Sequence, residues 1–168
     1  LGGLARYDGF AWTHFDTSNG LFNNQVNCVA FDSLNNPWVG TSQGLYRYDG
    51  RNWHVELDSS ALEPTFVNIT KLRFVKDSLI ICTMNGGIGY LYNGIIDWYS
   101  SFLTGLPDNS SFDVELTEGG SRLFACPQGG LLMHFFSGQW FNWNIINSPG
   151  FPSNSLTCLE KLDSNLFL

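Results

Sequence analysis

Short stretches of alternating apolar and polar residues recur along the chain, separated by glycine, asparagine and aspartate. The clearest set lies between residues 26 and 57, where turns are expected at Asn35-Asn36-Pro37, Gln43-Gly44 and Asp49-Gly50. Alternation with a period of two residues is typical of a half-buried strand, and Asp-Gly between two such runs indicates a hairpin. No segment has a convincing 3.6-residue apolar period, so we expect almost no helix. The predicted strands are Val26–Phe31, Trp38–Ser42, Leu45–Tyr48 and Trp53–Leu57.

The same pattern repeats. Residues 3–12 (GLARYDGFAW) and 44–53 (GLYRYDGRNW) are identical at seven of ten positions, and weaker copies begin at Gly87 and Gly130. The turn glycines of the four copies are spaced 41, 44 and 44 residues apart; they are Gly9, Gly50, Gly94 and Gly138. Four short strands in each repeat of this length are the signature of a propeller blade. We therefore predict an all-β chain, a β-propeller of four-stranded antiparallel blades with about four repeats of 41–45 residues.

The phase of the repeats predicts how the blades divide the chain. We expect a single β-propeller domain over 1–168, with a half blade at 1–20, blades at 21–61, 62–104 and 105–149, and a half blade at 150–168. Two arrangements are compatible with this phase. The favoured one is an arc of a larger propeller, because both ends interrupt a repeat. The other is a four-bladed ring in which the two half blades complete one sheet.

Composition narrows the possible functions. The 168 residues carry a net charge of −7, only 14% are charged and 15% are aromatic. Disorder requires few aromatics and high charge, and binding to nucleic acid requires an excess of Lys and Arg, so neither is expected. No apolar run reaches the ~20 residues of a membrane-spanning helix, so this segment is expected to make no membrane contact. The four cysteines each lie in an apolar stretch and are predicted to be buried thiols, with disulfides left open; they are Cys28, Cys82, Cys126 and Cys158.

No catalytic or metal-binding motif is present. The chain lacks a nucleophile elbow, a phosphate-binding loop, a calcium loop and a Cys-x-x-Cys pair. The three histidines (His14, His54 and His134) are expected on strands, and none follows a metal-ligand spacing. A carboxylate pair could be assembled only by the fold. We therefore predict no catalytic residues, no metal and no cofactor, and a segment that is not an enzyme.

Residues 21–53 resemble the two-component regulator propeller repeat. The resemblance is carried by Leu21, Asn24, Val26, Val29, Asp32, Trp38, Gly40, Thr41, Gly44, Leu45, Arg47, Tyr48 and Asp49. It implies a sensor propeller outside the inner membrane of a bacterium, at the periplasm or cell surface, of the kind that often detects carbohydrate breakdown products. The expected partners are a small saccharide or other polar ligand and the remaining blades of the parent propeller. The alternatives are a structural or adhesive propeller of a secreted or surface protein, and a propeller lyase or other glycan-acting enzyme.

Neutral amide side chains are frequent in the loops that a propeller gathers on one face. These loops precede each first strand or join the second strand to the third, and they carry Asn24, Gln25, Gln43, Asn85, Asn109, Gln128 and Asn154. Because an amide both donates and accepts hydrogen bonds, this set predicts a site for sugar hydroxyls, although asparagine also forms good turns. Trp143 stands outside the repeat phase and is a candidate for an exposed stacking ring. The in-phase tryptophans (Trp12, Trp53, Trp98 and Trp140) are expected to pack between blades.

Overall fold

The computed structural model describes residues 2–58, 68–104, 106–163 and 165–168, which form five consecutive antiparallel sheets. The first has two strands, β1 (Leu4–Tyr7) and β2 (Trp12–Phe15). The second contains β3 (Val26–Phe31), β4 (Pro37–Thr41), β5 (Gly44–Tyr48) and β6 (Trp53–Asp58). The third contains β7 (Ile69–Val75), β8 (Ser78–Thr83), β9 (Ile88–Tyr92) and β10 (Ile95–Tyr99). The fourth contains β11 (Asp113–Leu116), β12 (Arg122–Cys126), β13 (Gly130–His134) and β14 (Trp140–Trp143). The last pairs β15 (Glu160–Leu162) with β16 (Asn165–Phe167).

Each four-stranded sheet is a meander whose strands pair in chain order. This confirms the propeller blades and the near absence of helix, since the helix found in the described ranges is α1 (Ser101–Thr104). Turn chemistry sets the hairpins: the Asp49 carboxylate accepts hydrogen bonds of 2.8 Å from the N–H groups of Arg51 and Asn52. Gly50 follows at φ +94°, a left-handed conformation that a residue without Cβ adopts at low cost. The repeated Asp-Gly pair thus encodes the turn directly.

The first strands of successive sheets contact one another, β3 with β7 and β7 with β11, so they form the inner edge of the assembly. Between the sheets lie cores of branched aliphatic side chains, including the fully buried Ile81 and Val114. Gly40 allows the close approach of two sheets, because a Cβ there would lie 2.5 Å from Cγ2 of Ile69 and 2.6 Å from Sγ of Cys28.

The in-phase tryptophans differ in burial. Trp53, Trp98 and Trp140 pack against interblade cores, as predicted. Trp12 is 71% exposed, against the prediction. The physical reason is visible at Trp53, whose ring packs edge-on against Phe15 of the preceding sheet. In the described part of the chain no sheet precedes β1, so the ring of Trp12 has no such neighbour.

The cysteines of the structure are free thiols. Cys82 and Cys126 are buried and Cys28 is half-buried, but Cys158 is exposed, against the prediction. Cys158 lies just before β15. Within the described ranges, the sheet of β15 and β16 packs against a neighbouring sheet on one side, and the other side is left open to solvent. A search of the described residues found no helix with the length and apolar character needed to cross a membrane.

Candidate functional site

The loops that precede first strands and the loops that join second to third strands lie at the same end of the sheets, because strand direction alternates. We call this end the upper rim. It comprises residues 21–25, 42–43, 84–86, 106–112, 127–129 and 150–155, and the seven predicted amides all lie on it. The opposite end, formed by the other two sets of turns, is the lower rim.

Asn24, Asn109 and Asn154 occupy equivalent positions on the upper rim and bind the protein itself. In each, Oδ1 accepts a hydrogen bond from a backbone N–H in the loop after the outer strand of the preceding sheet. The distances are 2.8 Å from Thr17, 2.6 Å from Ser101 and 2.9 Å from Ile145. Their carbonyl oxygens accept from the N–H groups of Gly3, Gly87 and Gly130. These asparagines therefore clamp neighbouring sheets together, and part of each amide is already engaged.

Gln43, Asn85 and Gln128 are exposed at the tips of three successive loops. Asn85 is tied to the next sheet, because Oγ of Ser110 lies 3.2 Å from its Oδ1 and 3.0 Å from its backbone nitrogen. The backbone N–H of Gln128 donates to Asp108 at 2.8 Å. Within the described residues the side-chain amides of Gln43 and Gln128 have no hydrogen-bond partner, so both remain available to solvent or a ligand.

Trp143 is half-buried rather than exposed. It packs against the core that contains Leu131 and Leu156, and its ring meets Phe141 edge-on with centroids 4.6 Å apart. The strand that carries it, β14, is the outer strand of the fourth sheet, and the last sheet covers that side. Trp143 therefore serves packing in this structure.

A depression of about 310 Å³ lies where β3, β7 and β11 begin side by side. We call it the upper mouth; it is lined by Gln25, Asn27, Asn68, Thr70, Met84 and Phe112. Nδ2 of Asn27 donates to the carbonyl oxygen of Ile69 at 2.7 Å and lies 3.3 Å from Oδ1 of Asn68. Of the predicted amides, Gln25 alone belongs to this lining, and the others lie elsewhere on the upper rim.

Two β-bulges position polar side chains in the upper mouth. The register shifts between Val26 and Cys28 in β3 and between Ile69 and Lys71 in β7. Each shift leaves one residue, Asn27 or Thr70, outside the ladder of paired strands. Bulges redirect side chains in this way and are common beside functional sites. Sequence analysis missed both residues because each lies inside an alternating run and was counted as ordinary strand; their equivalent places in two repeats were the available signal.

Directly below the mouth, charged residues of β7 and β11 form two ion pairs. Nζ of Lys71 lies 2.7 Å from Oδ1 of Asp113, and Nη1 of Arg73 lies 2.5 Å from Oε1 of Glu115. Asp113 is buried, and its Oδ2 accepts a 3.0 Å hydrogen bond from the backbone N–H of Leu159. These contacts join the third, fourth and last sheets at their inner edge and neutralise both cations.

The chemistry that the upper mouth offers is hydrogen bonding beside an aromatic ring. Its described lining contains no histidine, cysteine or carboxylate. Burial raises the pKa of the Cys28 and Cys82 thiols to about 12, which keeps both protonated and poor nucleophiles. No group of His, Cys, Asp and Glu able to hold a metal ion occurs among the residues that the structure describes.

No family model and no curated protein matches the chain. The chain does resemble several solved structures. The chain is 17% identical, with a TM-score of 0.78 over 88% of its length, to the extracellular domain assigned to the hybrid two component system BT3049 from B. thetaiotaomicron. It is 21% identical, with a TM-score of 0.76 over 99% of its length, to the extracellular domain of BT4673 from the same organism, assigned to a one component system. The chain has a β-propeller fold like that of these two domains.

The structural likeness confirms the propeller fold that the resemblance to the two-component regulator propeller family implied. The chain spans 22% and 23% of the lengths of those two domains, so it corresponds to an arc of each. A more distant neighbour is virginiamycin B lyase from Staphylococcus aureus, at 12% identity and a TM-score of 0.58 over 80% of the chain and 45% of the lyase. At such identities the likeness establishes the fold, and function must be argued from the site.

Proposed function

We propose that this chain is a non-catalytic, ligand-sensing part of an extracytoplasmic bacterial sensor of the two-component type. Its upper mouth binds a small polar ligand, a saccharide. The observation that carries the proposal is an amide-lined depression on the inner edge of a fold shared with two extracellular sensor domains.

The lining matches the surface chemistry of a sugar. The side chain of Gln25 presents an amide that both donates to and accepts from hydroxyl groups. Nδ2 of Asn27 is engaged by Ile69 and Asn68, so Asn27 offers its Oδ1 as an acceptor. Phe112 supplies a ring beside them, and a flat apolar surface complements the C–H face of a pyranose. A volume of about 310 Å³ lies at the lower end of the range for small-molecule pockets, which favours a ligand of one or two sugar rings.

Binding without turnover is supported by the same residues. General acid–base catalysis needs a titratable group within hydrogen-bond reach of the substrate, and the described lining of the mouth offers amides, a hydroxyl, a thioether and a phenyl ring. We also propose the remaining blades of a parent propeller as partners, since the first and last sheets each have two strands where the other three have four.

The test is titration of the chain with a panel of mono- and disaccharides, followed by calorimetry and thermal melting. We expect at least one member to bind and to raise the melting temperature. Gln25→Ala should lower the affinity for that sugar by about 3- to 10-fold, which corresponds to the loss of one hydrogen bond. The melting temperature of the free protein should stay unchanged. Gln139→Ala is the matched control, because Gln139 is an exposed amide on the lower rim.

Each alternative gives a different result in the same experiment. A structural or adhesive propeller predicts that no member of the panel binds. A lyase or other glycan-acting enzyme predicts conversion of a panel member, visible as new products by mass spectrometry. Equal loss of affinity in Gln25→Ala and Gln139→Ala would place the site away from the upper mouth.

A further inference from the structure

The charges beneath the upper mouth are already balanced within the protein. The described first strands (β3, β7, β11 and β15) carry three cations and three carboxylates. The cations are Lys71, Arg73 and Lys161, and the carboxylates are Asp113, Glu115 and Glu160. Lys71 and Arg73 are each held by a carboxylate of β11 at 2.7 Å and 2.5 Å. Lys161 lies 3.9 Å from Glu118 at the lower rim and so is not part of the group beneath the mouth. The four charges of β7 and β11 therefore present no surplus of either sign to a ligand.

From this balance we infer that the upper mouth selects an electrically neutral, polyhydroxylated ligand and discriminates against sugar acids, sulfated sugars and amino sugars. The inference rests on the proposed function and specifies the ligand class of the same site. It follows from the contacts that an anionic or a cationic ligand would make with the paired charges beneath the upper mouth.

An anionic ligand would need a cation that is free to pair with it. Lys71 could turn toward the ligand only by leaving Asp113, a carboxylate whose side chain is 11% exposed. An anionic ligand would therefore gain one ion pair only by breaking another, and it would still lose its own hydration, so its charge weakens binding. The net charge of −7 adds a weak, salt-screened repulsion for anions.

A cationic ligand is disfavoured for the complementary reason. Asp113 and Glu115 are occupied by Lys71 and Arg73, and Asp113 also accepts backbone N–H groups from Val114 and Leu159. The lining above them offers neutral amide oxygens, which bind an ammonium less well than water hydrates it. A hydroxyl group neither breaks an existing ion pair nor loses the hydration of a charge. The amides replace its hydrogen bonds to water.

The experiment uses matched sets of sugars that differ in one group. Glucose, glucuronate and glucosamine form one set, galactose, galacturonate and galactosamine a second, and cellobiose with its uronic acid a third. Calorimetry at pH 7 in 20 mM and 300 mM NaCl should show the neutral member binding at least about 10-fold more tightly than its charged relatives. Its dissociation constant should change less than 2-fold with salt, because no counter-ion pair forms.

Lys71→Met sharpens the test, with Lys76→Met as control. Lys76 is an exposed lysine at the lower-rim turn between β7 and β8. Lys71→Met frees a carboxylate beneath the mouth, so it should raise the affinity for the amino sugar several-fold and leave the neutral sugar within 2-fold. Lys76→Met should alter neither. Melting curves of both variants establish that the fold is intact.

The outcomes separate this inference from the proposal beneath it. A sugar acid or amino sugar that binds as tightly as its neutral relative, or a dissociation constant that rises steeply with salt, overturns the neutral-ligand inference and leaves the sensing role standing. Loss of neutral-sugar binding in a folded Lys71→Met protein also overturns it, because the lysine would then contact the ligand. Binding of no sugar in any set overturns both.

Discussion

The two interfaces between the four-stranded sheets are built from different chemistry. In the first interface, between β3–β6 and β7–β10, the packed side chains are almost entirely apolar. They are Leu45, Leu57, Ile69, Leu72, Leu79 and Ile81, with Cys28, Ala30, Trp38, Phe74, Leu91, Ile96 and Trp98 around them. The second interface, between β7–β10 and β11–β14, has a comparable apolar core but adds ion pairs on its inner side and a buried histidine on its outer side.

The buried histidine is the centre of a polar and aromatic cluster. His134 is 7% exposed and stacks on Trp140, with ring centroids 4.0 Å apart. The Tyr90 hydroxyl lies 2.8 Å from its Nδ1, and the Tyr99 ring is a further neighbour at 5.4 Å. Nε2 of His134 has no partner among the described residues. Burial, with a smaller contribution from Arg122, lowers the pKa of His134 to about 4.

This contrast shows that the interface between adjacent blades can be stabilised in two different ways. The first interface relies on shape and apolar area, which are insensitive to pH and salt near neutrality. The second keeps a similar core yet carries groups whose protonation and screening alter its stability. The proposed ligand site lies on the inner edge where both interfaces meet. The two interfaces should therefore respond differently to a cavity in the core, to acid and to salt.

The largest effect is expected from a cavity in the first interface. Ile81 is fully buried there, so Ile81→Ala should lower the free energy of unfolding by about 2–5 kcal/mol. Urea unfolding at pH 7 and at pH 5 should give the same loss at both, because burial raises the pKa of the Cys28 thiol in this core to about 12 and the thiol stays protonated at both. Ile95→Ala, at a site 69% exposed, is the control and should change stability by less than about 0.5 kcal/mol.

A milder variant keeps this prediction testable if Ile81→Ala does not fold. Ile81→Val removes one methylene and should cost about 0.5–1.5 kcal/mol. A loss that differed between pH 7 and pH 5 by more than about 1 kcal/mol would contradict the pH-insensitive character of the first interface.

Acid should weaken the second interface through His134. Its pKa is about 4 in the folded chain against 6.5 for the ordinary group, so the unfolded state binds more protons between these values. Stability is therefore full above about pH 6.5 and falls as the pH drops toward 4, by on the order of 3 kcal/mol. Chemical unfolding at half-unit steps of pH should show this slope.

The control for the acid effect is His134→Gln. Glutamine keeps a hydrogen-bonding group near Tyr90 and does not titrate, so the variant should lose most of the slope between pH 6.5 and 4.5. It will be less stable at pH 7, since the stacking on Trp140 is lost. An unchanged slope would assign the acid effect to groups other than His134.

The fold was predictable from local chemistry because each blade repeats it. Alternation defines the strands, and turn residues such as Asp49 and Gly50 define the hairpins without distant partners. The four strands predicted between residues 26 and 57 agree with β3 to β6 within one residue at each end. Burial of Trp12 was predicted wrongly because it depends on a neighbouring sheet, which the repeat alone does not reveal.

The site was predictable only as a region. Repeat phase placed the amides on one rim, but it could not show which side chains bind the protein itself. Asn109 is engaged by a backbone N–H eight residues earlier, across the boundary between two sheets. Asn27 and Thr70 reach the mouth through bulges, whose position depends on how the strands pair in three dimensions. Ligand binding by Gln25 and the other amides stays a prediction.

The smallest effect is expected from screening the ion pairs of the second interface. The Lys71 side chain is 39% exposed, so its pair with Asp113 should contribute no more than about 1 kcal/mol. Lys71→Met should therefore lower stability by about 0.5–1 kcal/mol at 20 mM NaCl, because Asp113 keeps its two backbone donors. In 1 M NaCl the Debye length is about 3 Å and the difference from the parent chain should nearly vanish. Lys76→Met should have no effect at either salt concentration. If Lys71→Met costs more than about 2 kcal/mol at both, Asp113 depends on the lysine as a buried charge does, and the two interfaces differ more than their exposure indicates.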